Sequence, residues 1–257
     1  MRMHRSTPLV CVLLAVCAGG ASAQEPAAAA TPPAAAAPAN GWNCLVEPYF
    51  LIPTITGTSG IRGLTADIDA SSGDILGALD IGAMLYFEVN NPQWAFSLDG
   101  MYMDLGASAG TRLGTVDLDL KQTGIMLAGY GRIKPWAELM AGVQFNVIKA
   151  ALQSSGPQGV NLEGDKNWVD PYFGVRLTLP RQDKWRFAFM GAIGGLGVGS
   201  DFAWQLFPQM GYRFHPHFEL TGGFRVLSMN YDQGTGNTQF IYDLITYGPQ
   251  VGARLHF

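Results

Sequence analysis

The stretch "WVDPYFGVRLTL", residues 168–179, alternates apolar and mixed positions along its whole length. Val169, Pro171, Phe173, Val175, Leu177 and Leu179 share one face, and Asp170, Tyr172, Gly174, Arg176 and Thr178 share the other. A period of two is that of a β-strand with two different environments on its faces. Soluble strands usually run about five or six residues, whereas a tilted strand needs roughly 9–11 to cross a bilayer. Residues 137–147 repeat the pattern, with Ala137, Leu139, Ala141, Val143, Phe145 and Val147 against Glu138, Met140, Gly142, Gln144 and Asn146. A soluble sandwich alternates too, so length decides. The expectation is an all-β fold, an antiparallel up-and-down transmembrane β-barrel.

Outward from this stretch, strands are expected near 44–56, 79–90, 94–106, 115–132, 136–153, 167–180, 185–198, 201–214, 218–231 and 238–257. That makes about ten, with eight or twelve admissible, because 115–132 alternates poorly and 61–70 could add an eleventh extended piece. "NNPQ" (90–93), "IKP" (133–135), "PRQDK" (180–184) and "HPH" (215–217) read as tight turns. Most alternate connections are longer: 57–78, 107–114, 154–166 and 232–237. Short turns at one end and long loops at the other are the asymmetry of bacterial outer-membrane barrels, with the turns periplasmic. An even strand count then puts both barrel ends in the periplasm. Trp94, Trp136, Trp185, Phe214 and Phe218 flank the turns, where amphipathic rings favour the headgroup level.

The N-terminus fits this location. Arg2 and Arg5 precede an apolar run from Leu9 to Ala18 and the small residues Ala21-Ser22-Ala23, the layout of a secretory signal peptide over 1–23. Lipidation at Cys17 would call for a smaller preceding residue than Val16. Residues 24–41, "QEPAAAATPPAAAAPANG", read as a disordered Ala/Pro-rich periplasmic tether, followed by the barrel over 42–257. Without Arg2 and Arg5, 14 basic residues stand against 20 acidic ones, which argues against nucleic acid as a partner. Cys44 is then the one remaining cysteine, so neither a disulfide framework nor a Cys-based metal site is expected.

The last eight residues, "QVGARLHF", match polar-x-Gly-x-x-apolar-x-aromatic at Gln250, Gly252, Leu255 and Phe257. This resembles the C-terminal β-signal read by the barrel assembly machinery, and the resemblance implies that machinery as a partner, besides outer-membrane lipids. Residues 63–106, "WVDPYFGVRLTLP" and "GAIGGLGVGSDFAWQLFPQMGYRF" (191–214) resemble a group of uncharacterised proteobacterial outer-membrane β-barrel proteins. The resemblance implies fold and location. It brings no activity and no functional residues.

Catalytic chemistry finds little support. His215, His217 and His256 all fall at a periplasmic turn or the terminus, away from the outer rim where a His-assisted serine hydrolase or an omptin-like protease would need one. No enzyme activity, cofactor or metal is expected. "GAIGGLGVGS" (191–200) lacks the following helix that a phosphate loop requires, so its glycines are read as permitting bending or close packing in the wall. "SSGDILGAL" (71–79) is the one helical signal: Ser71 and Asp74 fit a capping box, and Ile75, Leu76 and Leu79 would share a face. It reads as a short helix in the first long loop, with the sharper possibility that it gates the barrel mouth.

Placing the apolar faces on lipid points Glu47, Glu88, Asp99, Glu138, Asp170 and Glu219 inward, with Arg176, Arg186, Arg213, Arg225 and Arg254. The opposite phasing would cost about 2–4 kcal/mol for each Arg at mid-bilayer. From these, a layer of Arg–carboxylate pairs across the lower barrel is expected from Glu47, Glu88, Glu138, Arg176, Arg186, Arg213, Glu219 and Arg254. About eight strands fill their interior with side chains, and sixteen or more enclose water, so a wide porin is disfavoured. Two readings lead, a structural or surface-interaction barrel with a lumen closed by ion pairs and, as the alternative, a narrow gated channel for small solutes; an outer-membrane enzyme is a distant third. Neither solute nor surface partner is named by the sequence.

Overall fold

The computed structural model describes residues 41–111, 114–154, 161–180 and 182–257. The expected signal peptide and, but for residue 41, the expected tether lie outside the described residues. In chain order the elements are β1 (Asn43–Leu51), β2 (Thr54–Ile61), β3 (Leu64–Ala70), α1 (Ser72–Ala78), β4 (Leu79–Asn90), β5 (Trp94–Thr111), β6 (Gly114–Lys134), β7 (Ala137–Ser154), β8 (Asn161–Thr178), β9 (Trp185–Gly194), β10 (Phe202–His215), β11 (Phe218–Gln233) and β12 (Phe240–His256). Neighbours pair antiparallel, and β1 pairs with β12 to close the sheet. β1 and β2 run as one strand along β12, broken at Ile52-Pro53, while β3 and β4 form the next, interrupted by α1. The result is a closed ten-stranded barrel.

Burial follows the alternation. On β8, Trp168, Asp170 and Tyr172 are buried in the lumen, while Val169, Phe173 and Val175 are exposed on the outside. The outer face is apolar around the barrel, with Phe96, Leu139, Phe187, Leu206, Leu220 and Val251 among its exposed residues. Trp94, Trp136, Trp185 and Phe214 stand exposed beside the turns. The turns are locally determined. In 91–93, Asn91 Oδ1 accepts from the N–H groups of Gln93 (2.8 Å) and Trp94 (2.7 Å), and Pro92 sets the bend.

Three expectations need correction at the opposite end. Segments read as loops at 107–114 and 154–166 are largely strand: β5 runs to Thr111, β6 starts at Gly114 and β8 at Asn161. β5–β8 therefore rise past their neighbours as a tall side. The reason is a change of surroundings: on the outer face Asp104 pairs with Lys121 at 2.7 Å, while Leu105 faces the interior. Polar-out and apolar-in replaces the reverse pattern of the membrane band. Second, the first loop (57–78) is mostly ordered as β2, the β2–β3 hairpin and α1. The hairpin leans across the mouth, with Ile61 seated against Gly164 of β8 on the far wall. Third, β9 ends at Gly194, not near 198, and 195–201 is a connection tucked against β8. Asp170 holds it, accepting from Ser200 N (2.6 Å), Ser200 Oγ (2.8 Å), Trp168 Nε1 (2.9 Å) and Asn146 Nδ2 (3.1 Å).

The interior has two storeys. Toward the loops lies an apolar cluster that includes Ile55, Ile75, Leu105, Ile148, Trp168, Met229, Tyr231, Phe240, Tyr242 and Leu244. Trp168 stacks on Tyr231 with centroids 4.5 Å apart, and Gln122 of β6 donates to Tyr242 of β12 at 3.1 Å. Toward the turns the interior is charged.

Candidate functional site

Small and polar inward residues near the turns leave a cavity of about 650 Å³, lined among others by Glu47, Glu88, Glu138, Arg176, Arg186, Arg213, Arg254 and His217. Each charge sits on a strand whose alternate residue faces lipid, so its direction follows from the pleat. Two networks form. In one, Arg176 Nη1 reaches Glu88 Oε2 and its Nε reaches Glu138 Oε2, both at 2.5 Å, and Arg132 holds Glu138 from the other side at 2.7 Å. Tyr86 donates to Glu88, and the Arg176 guanidinium lies 3.9 Å over the Tyr130 ring, a cation–π contact.

In the second network Glu219 is fully buried. It accepts from Arg186 Nε at 2.7 Å and faces Arg213 (3.5 Å), Arg254 (3.8 Å) and His256 (3.4 Å). Arg254 Nε donates to Glu47 at 2.7 Å, and Thr221 and Gln209 donate to the same carboxylate. Two glycines make the room: a Cβ on Gly211 would fall 2.0 Å from Glu219 Oε1, and one on Gly252 would fall 2.8 Å from Glu47 Oε1. Gly252, one of the terminal-motif positions, thus has a packing reason of its own.

Above these networks Arg225 spans the lumen to Asp99 at 3.0 Å, and Tyr49 donates to the same carboxylate at 2.6 Å. Seven residues of the expected layer line this one cavity, and the eighth, Glu219, lies behind its wall, paired with the lining Arg186 and Arg213. Arg132 joins them without having been foreseen. It lies in the part of β6 that alternates poorly, and its partner Glu138 across the β6–β7 turn was the available signal.

The residues of the expected gate divide. The capping box is present: Ser71 Oγ accepts from Asp74 N, and the Asp74 carboxylate accepts from Ser71 N at 3.0 Å. These Ser71 hydrogen bonds hold the Asp74 carboxyl below its ordinary range. A depressed carboxyl stabilises the helix above its unfolded value, and that stabilisation is lost as pH falls through the folded one. Ile75 is buried in the upper cluster and Leu79 packs against it, but Leu76 is exposed. One helical turn separates Ile75 from Leu79, whereas Leu76 is rotated away; the expected common face is corrected to those two.

At the C-terminus Gln250, Gly252 and Arg254 are buried toward the lumen, and Val251, Leu255 and Phe257 are exposed on the outside. Phe257 N donates to Cys44 O at 2.9 Å, tying the chain end to β1. His215 and His217 lie at the β10–β11 turn and His256 at the end of β12. Among the described residues no group of three His, Cys, Asp or Glu could hold a metal ion, and no helix is long and apolar enough to cross a membrane.

No family model and no curated protein sequence matches the chain. Solved structures do match in architecture. The outer membrane protease OmpT of Escherichia coli aligns with 10% identity and a TM-score of 0.49, covering 85% of this chain and 97% of that one. The translocator domain of the autotransporter NalP from Neisseria meningitidis gives 9% and 0.48, covering 84% and 88%. Ail, the attachment invasion locus protein of Yersinia pestis, gives 12% and 0.40, covering 84% and 99%. These matches carry no role to this chain; its own closed antiparallel sheet with an apolar outer face makes it a β-barrel of the outer-membrane type.

Proposed function

We propose that this protein is an integral outer-membrane barrel with a structural or surface-interaction role, its lumen closed to solutes and its turn end in the periplasm. One observation carries this reading: the lumen is spanned at successive levels. Arg176 bridges Glu88 and Glu138, Arg225 crosses to Asp99, and the apolar cluster with Gln122–Tyr242 lies above them. Vesicles containing the refolded protein should swell no faster in arabinose than protein-free vesicles. Swelling that scales with the amount of protein would overturn the reading.

A narrow gated channel is the second reading, favoured by the cavity at the turn end. In that case the Ile75-bearing helix is the removable part. Deleting 71–79 should raise single-channel conductance, and unchanged conductance would remove the gate.

The terminal motif is proposed as the assembly signal, with the barrel assembly machinery as its reader, and residues 1–23 and 24–41 as signal peptide and tether. Deleting Phe257 should then lower the heat-modifiable, membrane-inserted fraction in cells far more than Arg254→Gln does. Equal losses would assign the terminus a packing role alone.

A further inference from the structure

The barrel has a seam. The β1–β4 ladder runs from Asn43↔Asn90 to Pro48↔Leu85 and stops there. Pro48 offers no N–H to continue it. Beyond that point Tyr49, Phe50 and Leu51 pair with β12, and Met84, Ala83 and Gly82 pair with β5, but not with one another. The Leu51 N–H donates instead to the sulfur of Met84 at 3.3 Å, a weak acceptor. Above the seam β3 pairs with β2 alone, and α1 bridges from β3 to the top of β4.

The seam lies inside the apolar band. Leu85 pairs with Gly100 and Ala83 with Tyr102, while the first outward ion pair, Asp104–Lys121, stands opposite Ile81. Phe50 and Ile81 are exposed on the lipid side of the seam, and no charged side chain lies on β1 or β4 between Pro48 and Leu51 or between Ile81 and Leu85. Directly behind it, Tyr49, Leu51, Met84 and Met103 form a buried apolar cluster of their own, with Leu79 and Met101 packed against it. An outer-membrane barrel normally has a polar interior, so a buried apolar cluster directly behind an unpaired stretch of wall is a departure from the type. Methionine, unbranched and flexible, repacks readily around an inserted chain.

We propose that this seam admits one acyl chain of a membrane lipid, which lies among Leu51, Met84, Met101 and Met103. A lipid chain fits because the bilayer is what the seam faces, and the side chains beside it at 48–51 and 81–85 include no charged group. The inference is independent of whether the lumen conducts along its axis.

The test is photolabelling. The refolded protein is placed in vesicles of phosphatidylethanolamine carrying a diazirine on one acyl chain, irradiated and mapped by mass spectrometry. Adducts are expected on the inward-facing Met84, Met101 and Met103 as well as on outward Phe87 and Leu98. A seam lock, Phe50→Cys with Ala83→Cys in a Cys44→Ser background, should lower the inward adducts at least tenfold when oxidised and restore them on reduction. Outward labelling should stay constant. Leu51→Trp, which fills the cluster without a crosslink, should lower the inward adducts as well. Labelling confined to outward residues in the unlocked protein, or inward labelling untouched by both the lock and Leu51→Trp, would overturn the proposal.

Discussion

Glu219→Gln is expected to destabilise the barrel by about 3 kcal/mol in guanidinium unfolding of the refolded protein in detergent. The carboxylate is fully buried and faces Arg186, Arg213 and Arg254. Removing one partner of a buried ion pair typically costs about 3–5 kcal/mol, because a charge is left uncompensated. The lower end applies here, since Arg213 keeps 28% of its side chain exposed and the cavity admits water to the guanidinium groups. Arg186→Met added to Glu219→Gln should recover part of the loss, because one of the crowded cations then leaves with the anion. A loss below about 1 kcal/mol, the range of exposed pairs, would show that the network is solvated and does not seal the lower lumen.

Asp170→Ala is the second large effect, expected at about 4 kcal/mol. Four donors converge on this carboxylate: Ser200 N, Ser200 Oγ, Trp168 Nε1 and Asn146 Nδ2. A buried donor left without an acceptor costs about 1–3 kcal/mol. The hydroxyl can rotate to another acceptor and the Trp168 indole keeps Ser200 Oγ at 3.0 Å, while the Ser200 N–H cannot leave the interior without moving the 195–201 connection. Asp170→Asn keeps one accepting oxygen and should lose about half as much. Because Trp168 is both a donor to Asp170 and stacked on Tyr231, its fluorescence should shift to the red in Asp170→Ala before global unfolding begins. Unchanged emission together with wild-type stability would mean that the connection is held by its backbone alone.

The parts of the barrel legible in the sequence are those where one face meets lipid and the other meets the lumen. On β7 and β8 the pattern of 137–147 and 168–179 assigns each side chain to its face, and Glu138 and Arg176 meet as cross-strand partners for that reason. β6 was obscure because its pattern reverses along its length. Near the turns Leu127 and Ile125 face outward, but farther up Lys121 and Asp119 do so and Leu120 turns inward. A strand that leaves the membrane while still covering an apolar plug loses its alternation when averaged. The break at Ile52-Pro53 and the β2–β3 hairpin were hidden for a different reason: they depend on β12 being long enough to pair with both β1 and β2. Asp170 shows the limit for single residues. Its inward direction was readable, but its partner Ser200 comes from a connection whose first part, 195–198, sequence spacing assigns to a strand end.

The claim on which the functional reading rests is that the lumen is closed along its axis, and single-channel recording of the refolded protein in planar bilayers tests it most directly. The native barrel should give a flat trace with no sustained open level. A stable, reproducible conductance from the native protein would contradict the account.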